Sequence, residues 1–167
     1  MDLFEAIEKR ASVRDLQPAD IADADLDRIL DAGRRAPSGY NRQPFEFILI
    51  RDPQSLHEFA KCQPCIADVN TAIAVVADPD ASKYWLEDLS AATENMLLAI
   101  TALGHASCWI EGRILPREEE LKRMLGVPAK LRLMVILPIG KAAGHAAQKE
   151  KRPLAQVFYR ERYGSRA

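Results

Sequence analysis

The stretch Lys83–Leu103, KYWLEDLSAATENMLLAITAL, carries the longest helical pattern in the chain. Its apolar residues recur at spacings of four, three, four, four and three, so they share one face of an α-helix. They are Trp85, Leu89, Ala92, Met96, Ile100 and Leu103. An apolar stripe of this length has to be buried against other elements, so we expect the central helix of the core here.

Helical and strand patterns alternate on both sides of this stretch, without repeats or low-complexity linkers. Further helices are predicted at residues 2–10, 23–35, 53–61 and 116–125, and strands at residues 45–51, 72–77, 106–110 and 131–138. The segment Ala72–Ala77 is wholly apolar, as is typical of a strand buried on both faces. The pattern predicts one mixed domain of helices and strands over residues 1–167.

Composition limits the classes of function. The chain has 167 residues, of which 48% are hydrophobic, enough for one well-buried core. Its 23 basic and 24 acidic side chains give a net charge of -1, so neither nucleic acid nor an anionic membrane is an expected partner. Residues 1–10 lack the apolar core of a signal peptide, and no run approaches the ~20 apolar residues of a membrane span. We expect a cytoplasmic protein with three reduced cysteines.

The segment Arg10-Ala11-Ser12-Val13-Arg14 follows the first predicted helix and has polar side chains at alternate positions. In an extended chain, positions i, i+2 and i+4 share a face and lie about 7 Å apart. Two guanidinium groups and a hydroxyl could then bind a phosphate monoester from three sides. The alternative is a solvated surface strand with two ordinary arginines.

Two further segments contain candidate ligand-binding groups. In the segment 36–44, two prolines and a glycine bracket Ser38, Asn41 and Gln43, which could bind a planar polar ligand or simply satisfy a helix-to-strand connection. In the segment 103–112, a predicted strand ends in Glu111-Gly112, where an exposed backbone amide could donate a hydrogen bond to a heterocycle nitrogen. Cys108 and Trp109 are expected in the core, and the three scattered histidines do not form a recognised metal-binding pattern.

The last segment is basic and then aromatic. Lys149, Lys151 and Arg152 form either a solvated face or a second set of cations for the same phosphate. The arm at 145–167 also carries three aromatic residues, Phe158, Tyr159 and Tyr163, which are hard to explain on a free tail. We expect this arm to pack, with a second subunit as one candidate surface.

Taken in order, these segments resemble the FMN-dependent nitroreductase family over nearly the whole chain. The matching motifs are Arg-x-Ser-x-Arg after the first helix, Ala-Pro-Ser-Gly-x-Asn-x-Gln-Pro before a strand, Leu-Gly-x-x-Ser-Cys-Trp-Ile after the long helix, and Pro-Ile-Gly-Lys before a basic tail. The resemblance implies an α+β fold with a mixed, mainly antiparallel sheet flanked by helices. It also implies a homodimer with swapped C-terminal arms and FMN at the subunit interface.

The resemblance assigns roles to individual residues. It implies that Arg10, Ser12 and Arg14 hold the phosphate and ribityl end of FMN, with Lys149, Lys151 or Arg152 as additional cations. Further contacts to the flavin ring are implied for Pro37, Ser38, Gly39, Asn41 and Gln43, from the partner chain or from the same one. The backbone at Glu111 and Gly112 would face the N5 edge of the flavin. These cations and amides would stabilise the reduced, anionic cofactor.

The activity implied is a ping-pong oxidoreductase reaction. NADH or NADPH gives a hydride to flavin N5, and a nitroaromatic, a quinone or a similar small acceptor then takes the electrons. No catalytic side chain is predicted, because the flavin supplies the chemistry. The alternatives are an FMN-dependent dehydrogenase or oxidase of one metabolite that does not use NAD(P)H, and a non-catalytic flavin-binding protein. The sequence specifies neither the nicotinamide nor the acceptor.

Some features depart from the family. The chain is short, with little room for the helices that larger members insert over the flavin, so the acceptor site would be open or suited to bulky acceptors. Ala142-Ala143-Gly144 stands where a proline is common, which loosens the alignment of the basic tail. The segment Cys62-Gln63-Pro64-Cys65 has the spacing of a redox C-x-x-C motif without its strand-then-helix context. Structural cysteines and a redox pair are both open interpretations.

Overall fold

The computed structural model describes residues 1–165. Its helices are α1 (Leu3–Lys9), α2 (Asp23–Arg34), α3 (Pro53–Ala60), α4 (Trp85–Ala102), α5 (Glu118–Leu125) and α6 (Leu154–Val157). Its strands are β1 (Leu16–Gln17), β2 (Phe45–Ile50), β3 (Thr71–Ala77), β4 (Ala106–Ser107) and β5 (Arg132–Ala142). Short 3-10 turns lie at Gly39–Asn41, Pro64–Ile66 and Leu115–Arg117.

The strands form one sheet in the order β1-β5-β3-β2, and β4 also pairs with β5. Each of these pairings is antiparallel. The parallel component of the sheet is an isolated bridge between Ser12 and Ser107. The predicted class, a mainly antiparallel mixed sheet flanked by helices, is therefore confirmed.

Helices cover both faces of the sheet, because successive side chains of β3 point to opposite sides. Ala72, Ala74 and Val76 pack in one apolar cluster with residues of α3 and α5. Ile73, Val75 and Ala77 pack in a second cluster with residues of α2 and α4. All seven residues of β3 are buried, as its uninterrupted apolar sequence predicted.

Helix α4 is the central core helix, as its spacing predicted. The middle of its apolar stripe, at Leu89, Ala92, Met96 and Ile100, is fully buried. The neighbouring α2 approaches closely at Gly33, where a Cβ atom would lie 2.8 Å from the side chain of Met96. The missing side chain at Gly33 therefore allows the two helices to pack against each other.

Two predicted boundaries were wrong at the ends of the sheet. The strand predicted at residues 106–110 is limited to Ala106–Ser107, followed by a single bridge from Ile110 to Ile136. Strand β5 continues past Pro138 to Ala142, because Gly140 pairs with β4 and Lys141 pairs with β1. Strand β1 and helix α6 were not predicted, since two and four residues are too few to show a periodicity.

The C-terminal arm leaves the sheet after β5 and passes α1. The Nε2 group of Gln148 donates a hydrogen bond of 2.6 Å to the carbonyl of Ile7. Beyond this point Leu154 is 74% exposed, and on α1 the side chain of Phe4 is 76% exposed. The arm and α1 thus present uncovered apolar side chains. Within residues 1–165, no helix is long and apolar enough to cross a membrane.

Glu118, at the start of α5, fixes this helix to β5. It is buried and accepts hydrogen bonds from Arg132 Nε at 2.8 Å and from the backbone N–H of Leu133 at 2.9 Å. Burial by itself raises the pKa of Glu118, but these two donors outweigh burial and hold that pKa below its ordinary value.

A Glu118→Gln substitution is expected to lower the free energy of unfolding at pH 7 by about 1–3 kcal/mol, because charge-assisted hydrogen bonds are lost. A carboxyl group with a lowered folded-state pKa stabilises the protein above its unfolded-state pKa, about 4.3, and loses that effect as pH falls through the folded value. The gap between wild type and variant in urea unfolding should therefore shrink below about pH 4. In the same helix, the exposed Glu120→Gln is expected to change stability by less than about 1 kcal/mol. Equal losses in both variants would contradict this account.

Candidate functional site

A cleft opens where the segment after α1, the segment after α3 and the segment after β4 meet. Its volume is about 410 Å3. It is lined by Arg14, Gln63, Trp109, Ile110, Glu111, Gly112 and Arg113. The structure thus brings together the predicted phosphate-binding segment and the predicted Glu111-Gly112 amide, which are distant in sequence.

The segment Arg10–Arg14 is extended because α1 ends at Lys9 and the next residues attach to β4. The backbone N–H of Val13 donates to the carbonyl of Ser107 at 2.9 Å, and Ser12 bridges the same residue. Ser12 and Arg14 consequently point to solvent while Val13 is half-buried. Of the three predicted phosphate ligands, Arg14 lies in the cleft and Ser12 lies beside it.

Arg10 has a partner that the sequence did not indicate. Its Nε atom lies 3.4 Å from a carboxylate oxygen of Glu94 on α4. This ion pair connects the start of the predicted phosphate-binding segment to the core helix. Arg10 is therefore oriented by α4, whereas the guanidinium group of Arg14 has no carboxylate in an ion pair within residues 1–165.

The Glu111-Gly112 end of the cleft presents a free backbone amide. Trp109 Nε1 donates to Glu111 Oε2 at 3.0 Å, which orients the carboxylate. In the part of the chain that the structure describes, the Gly112 N–H donates no hydrogen bond. A Cβ atom at Gly112 would meet nothing within 4 Å, so the backbone there is open to a ligand.

Sequence reasoning missed Gln63 and Arg113 as cleft residues. Gln63 adds an amide that can both donate and accept, and Arg113 adds a second guanidinium group. No local pattern around either residue pointed to a ligand. A buried hydroxyl also lies next to the cleft, because Ser107 Oγ is without a hydrogen-bond partner among the described residues.

The loop at residues 37–43 is strained. Tyr40, Asn41 and Gln43 have φ angles of 53°, 57° and 49°, in the left-handed region that residues with side chains rarely adopt. Ser38 Oγ accepts a hydrogen bond of 3.0 Å from the Gln43 N–H. Gln43 Nε2 donates to the Asn41 carbonyl at 3.2 Å. Such strain persists only where surrounding contacts hold it, and it is common at ligand-binding sites.

The loop is held at the amino-terminal part of α4. The backbone N–H of Gly39 donates to Asp88 Oδ1 at 2.9 Å, and Ser82 Oγ donates to the other carboxylate oxygen of this buried residue at 2.9 Å. A Cβ atom at Gly39 would lie 2.4 Å from the Tyr84 ring, so glycine is required for this close approach. Asp88 therefore fixes the conformation of the loop.

Within one chain, the loop and the cleft are separate. Among the described residues that line the Arg14 cleft, none comes from Pro37 to Gln43. Gln43 lines another depression beside α2, and Tyr40 one beside residues 80–84. The structure thus brings the predicted flavin-binding residues into two groups rather than one.

The predicted basic cluster lies on the arm. Lys149, Lys151 and Arg152 are exposed to solvent. The hydrogen bond from Gln148 to Ile7 places the start of this cluster within one helical turn of Arg10. The arm therefore carries its cations along the side of α1 that leads to the phosphate-binding segment.

An Asp88→Ala substitution is expected to weaken binding of a ligand that needs the loop by about 5- to 30-fold, because the buried Gly39 N–H loses its acceptor, at a cost of about 1–2 kcal/mol. Asp88→Asn keeps one oxygen acceptor and should recover most of the affinity. The measurement is a fluorescence titration with FMN. Equal losses in both variants would show that the charge of Asp88, rather than its hydrogen bond to the loop, is what matters.

The cysteines of the C-x-x-C segment have different partners. Cys62 Sγ accepts a long hydrogen bond of 3.6 Å from Arg117 Nη1. The thiol of Cys65 instead lies against that of Cys108, which donates a hydrogen bond to it. All three cysteines are buried and in the free thiol form.

Comparison with known proteins relates this architecture to one family. The model of the nitroreductase family matches residues 7–78 and 60–141. A candidate NADH dehydrogenase/NAD(P)H nitroreductase of Archaeoglobus fulgidus is 36% identical over 149 residues, which cover 83% of this chain and 84% of that protein. The FMN reductase [NAD(P)H] of Bacillus subtilis is 26% identical, with 97% of this chain and 74% of that protein covered.

A solved structure agrees with these relatives. The candidate nitroreductase of Desulfovibrio desulfuricans in complex with FMN superposes with a TM-score of 0.83 at 29% identity, and 98% of each chain is covered. The match of the family model extends from α1 to β5 and includes the Arg10–Arg14 segment, the loop and the cleft. The chain therefore belongs to the nitroreductase family.

Proposed function

We propose that this protein is an NAD(P)H-dependent FMN oxidoreductase that passes electrons to a small acceptor such as a nitroaromatic or a quinone. The observation that carries the proposal is the cleft, in which Arg14 lies near the free Gly112 amide. Family membership and the FMN bound to the Desulfovibrio desulfuricans relative support the choice of cofactor.

The donor set fits FMN. A phosphate monoester needs several cationic or hydroxyl groups, and Arg14, Ser12 and the nearby Arg10 supply them from consecutive alternate positions. A flavin ring needs amide donors and an open approach, which the free Gly112 N–H and the empty space around that glycine provide. The buried, unpartnered Ser107 hydroxyl lies beside the same segment as a further polar group.

We propose that a second copy of the chain completes the site. One copy supplies the Arg14 cleft, and the partner copy supplies Ser38, Asn41 and Gln43 on the strained loop. The separation of these two groups within one chain supports this arrangement. The exposed apolar side chains of α1 and of the arm, including Phe4 and Leu154, are a surface for such a homodimer.

The protein residues bind and orient. Arg14 and Ser12 hold the phosphate, while Arg10, kept in place by Glu94, adds positive charge. Lys149, Lys151 or Arg152 adds further cations as the arm passes α1. The Gly112 N–H donates to the ring nitrogen at the reactive edge, and the rigid loop limits the tilt of the ring. FMN, when bound, supplies hydride acceptance from a nicotinamide and electron donation to the acceptor.

The proposed reaction order is ping-pong. Donor and acceptor would use the same open side of the cleft in turn, so NAD(P)H has to leave before the acceptor binds. The cleft walls are backbone and polar side chains without an inserted helix between residues 103 and 118, which favours an open site for acceptors of varied shape. No side chain acts as a nucleophile in this scheme.

The test is a visible spectrum of the purified protein with FMN under anaerobic conditions, before and after NADH and then NADPH. Bleaching of the flavin bands by either nucleotide, and their return on adding a quinone, are the expected results. Flavin that stays oxidised with both nucleotides would favour a metabolite dehydrogenase or oxidase. Protein that fails to bind FMN would overturn the proposal.

A further inference from the structure

Two buried thiols from distant parts of the chain meet beneath the cleft. Cys65 belongs to the 3-10 turn after α3, and Cys108 follows β4. Both lie in the apolar cluster between the sheet and the helices α3 and α5. The Cys108 thiol donates a hydrogen bond to Cys65, so the two sulfur atoms are direct neighbours.

The surroundings make the two thiols chemically unequal. The hydrogen bond from Cys108 lowers the pKa of Cys65, and the nearby Arg14 guanidinium lowers it further. The same hydrogen bond and burial raise the pKa of Cys108. Cys65 is therefore the better nucleophile, because the thiolate is the reactive form, and Cys108 is placed to resolve an oxidised Cys65.

We propose that Cys65 and Cys108 form an oxidation-sensitive dithiol that a hydroperoxide converts into a disulfide. The Cys65 thiolate attacks one peroxide oxygen, the O–O bond breaks, and Cys65 becomes a sulfenic acid. Cys108 then attacks the Cys65 sulfur and water leaves. With hydrogen peroxide, the thiols lose two electrons and two protons in total, and the peroxide becomes two water molecules.

The location of this pair connects oxidation to the cleft. Cys65 is two residues after Gln63, and Cys108 directly precedes Trp109; both of these neighbours line the cleft. A disulfide holds its sulfur atoms about 2.05 Å apart, much closer than hydrogen-bonded thiols. The bond would draw the Gln63 and Trp109 walls together, so oxidation is expected to weaken binding of FMN several-fold.

Peptide mapping after peroxide treatment tests the pairing on the full chain, with and without FMN. Cleavage after lysine and arginine puts Cys62 and Cys65 in one peptide, residues 62–83, and Cys108 in another, residues 84–113. The expected product is a dithiothreitol-reversible cross-link between these two peptides. It should form unchanged in Cys62→Ser and disappear in Cys65→Ser and in Cys108→Ser.

Three results would overturn the proposal. One is a disulfide within residues 62–83, which would mean that Cys62 pairs with Cys65. Another is Cys65 oxidised to sulfinic acid while Cys108 stays reduced. The last is retention of all three free thiols at peroxide concentrations that oxidise an unfolded control. Because the cross-link is measured without FMN as well, its formation does not depend on the proposed oxidoreductase function.

Discussion

Replacing Arg14 with alanine is expected to raise the dissociation constant of FMN by about 10- to 150-fold. The guanidinium group lies in the cleft without a carboxylate partner among the described residues, so it is available for the phosphate. A hydrogen bond to a charged group contributes about 1.5–3 kcal/mol, and each 1.4 kcal/mol is about tenfold in affinity. Fluorescence quenching of FMN measures the effect directly.

The matched control is Arg28→Ala. Arg28 has an exposed side chain on α2, and its contact with Asp25 is 3.4 Å long. Its loss removes the same charge from the protein but no group from the cleft. FMN affinity should stay within about twofold of wild type, because exposed pairs contribute little. If both substitutions weaken binding equally, net charge governs affinity and the phosphate role of Arg14 is wrong.

Replacing Leu154 with aspartate is expected to raise the dissociation constant of the proposed homodimer by at least about 100-fold. In a symmetric interface each substitution acts twice, and a buried leucine contributes about 1.5–3 kcal/mol. Leu154 is 74% exposed in the single chain, so the folded monomer should not be affected. Sedimentation velocity over a concentration series measures the shift to monomer.

A second reading of the Leu154→Asp variant comes from the cofactor. If the partner copy supplies half of the site, FMN affinity must fall together with dimerisation. The control is Met124→Asp, an exposed apolar residue on α5, on the opposite face of the sheet from α1. A Leu154→Asp protein that is monomeric and still binds FMN as tightly as wild type would contradict the two-chain site.

The sequence predicted those features that repeat over several turns or strands. The α4 stripe, which includes Leu89 and Met96, spans whole helical turns, so its burial could be read from spacing alone. The all-apolar β3 predicted its central position in the sheet for the same reason. The motif resemblance, from Arg10 onwards, gave the family and the fold class.

Contacts between distant residues could not be predicted. The pairs Arg10–Glu94, Gly39–Asp88 and Cys65–Cys108 each join segments that only the folded sheet brings together. The left-handed backbone at Tyr40 and Gln43 also has no local signal, since neither residue type favours that region. It exists because contacts from other elements hold the loop.

Mixing two defective variants tests the shared site most directly. In Arg14→Ala and Asn41→Ala homodimers every site has one defect. A mixed dimer built as we propose has one site with both defects and one intact site, so about a quarter of all sites should recover tight FMN binding after random exchange. No recovery, with exchange verified by native mass spectrometry, would mean that Arg14 and Asn41 of the same chain bind one FMN.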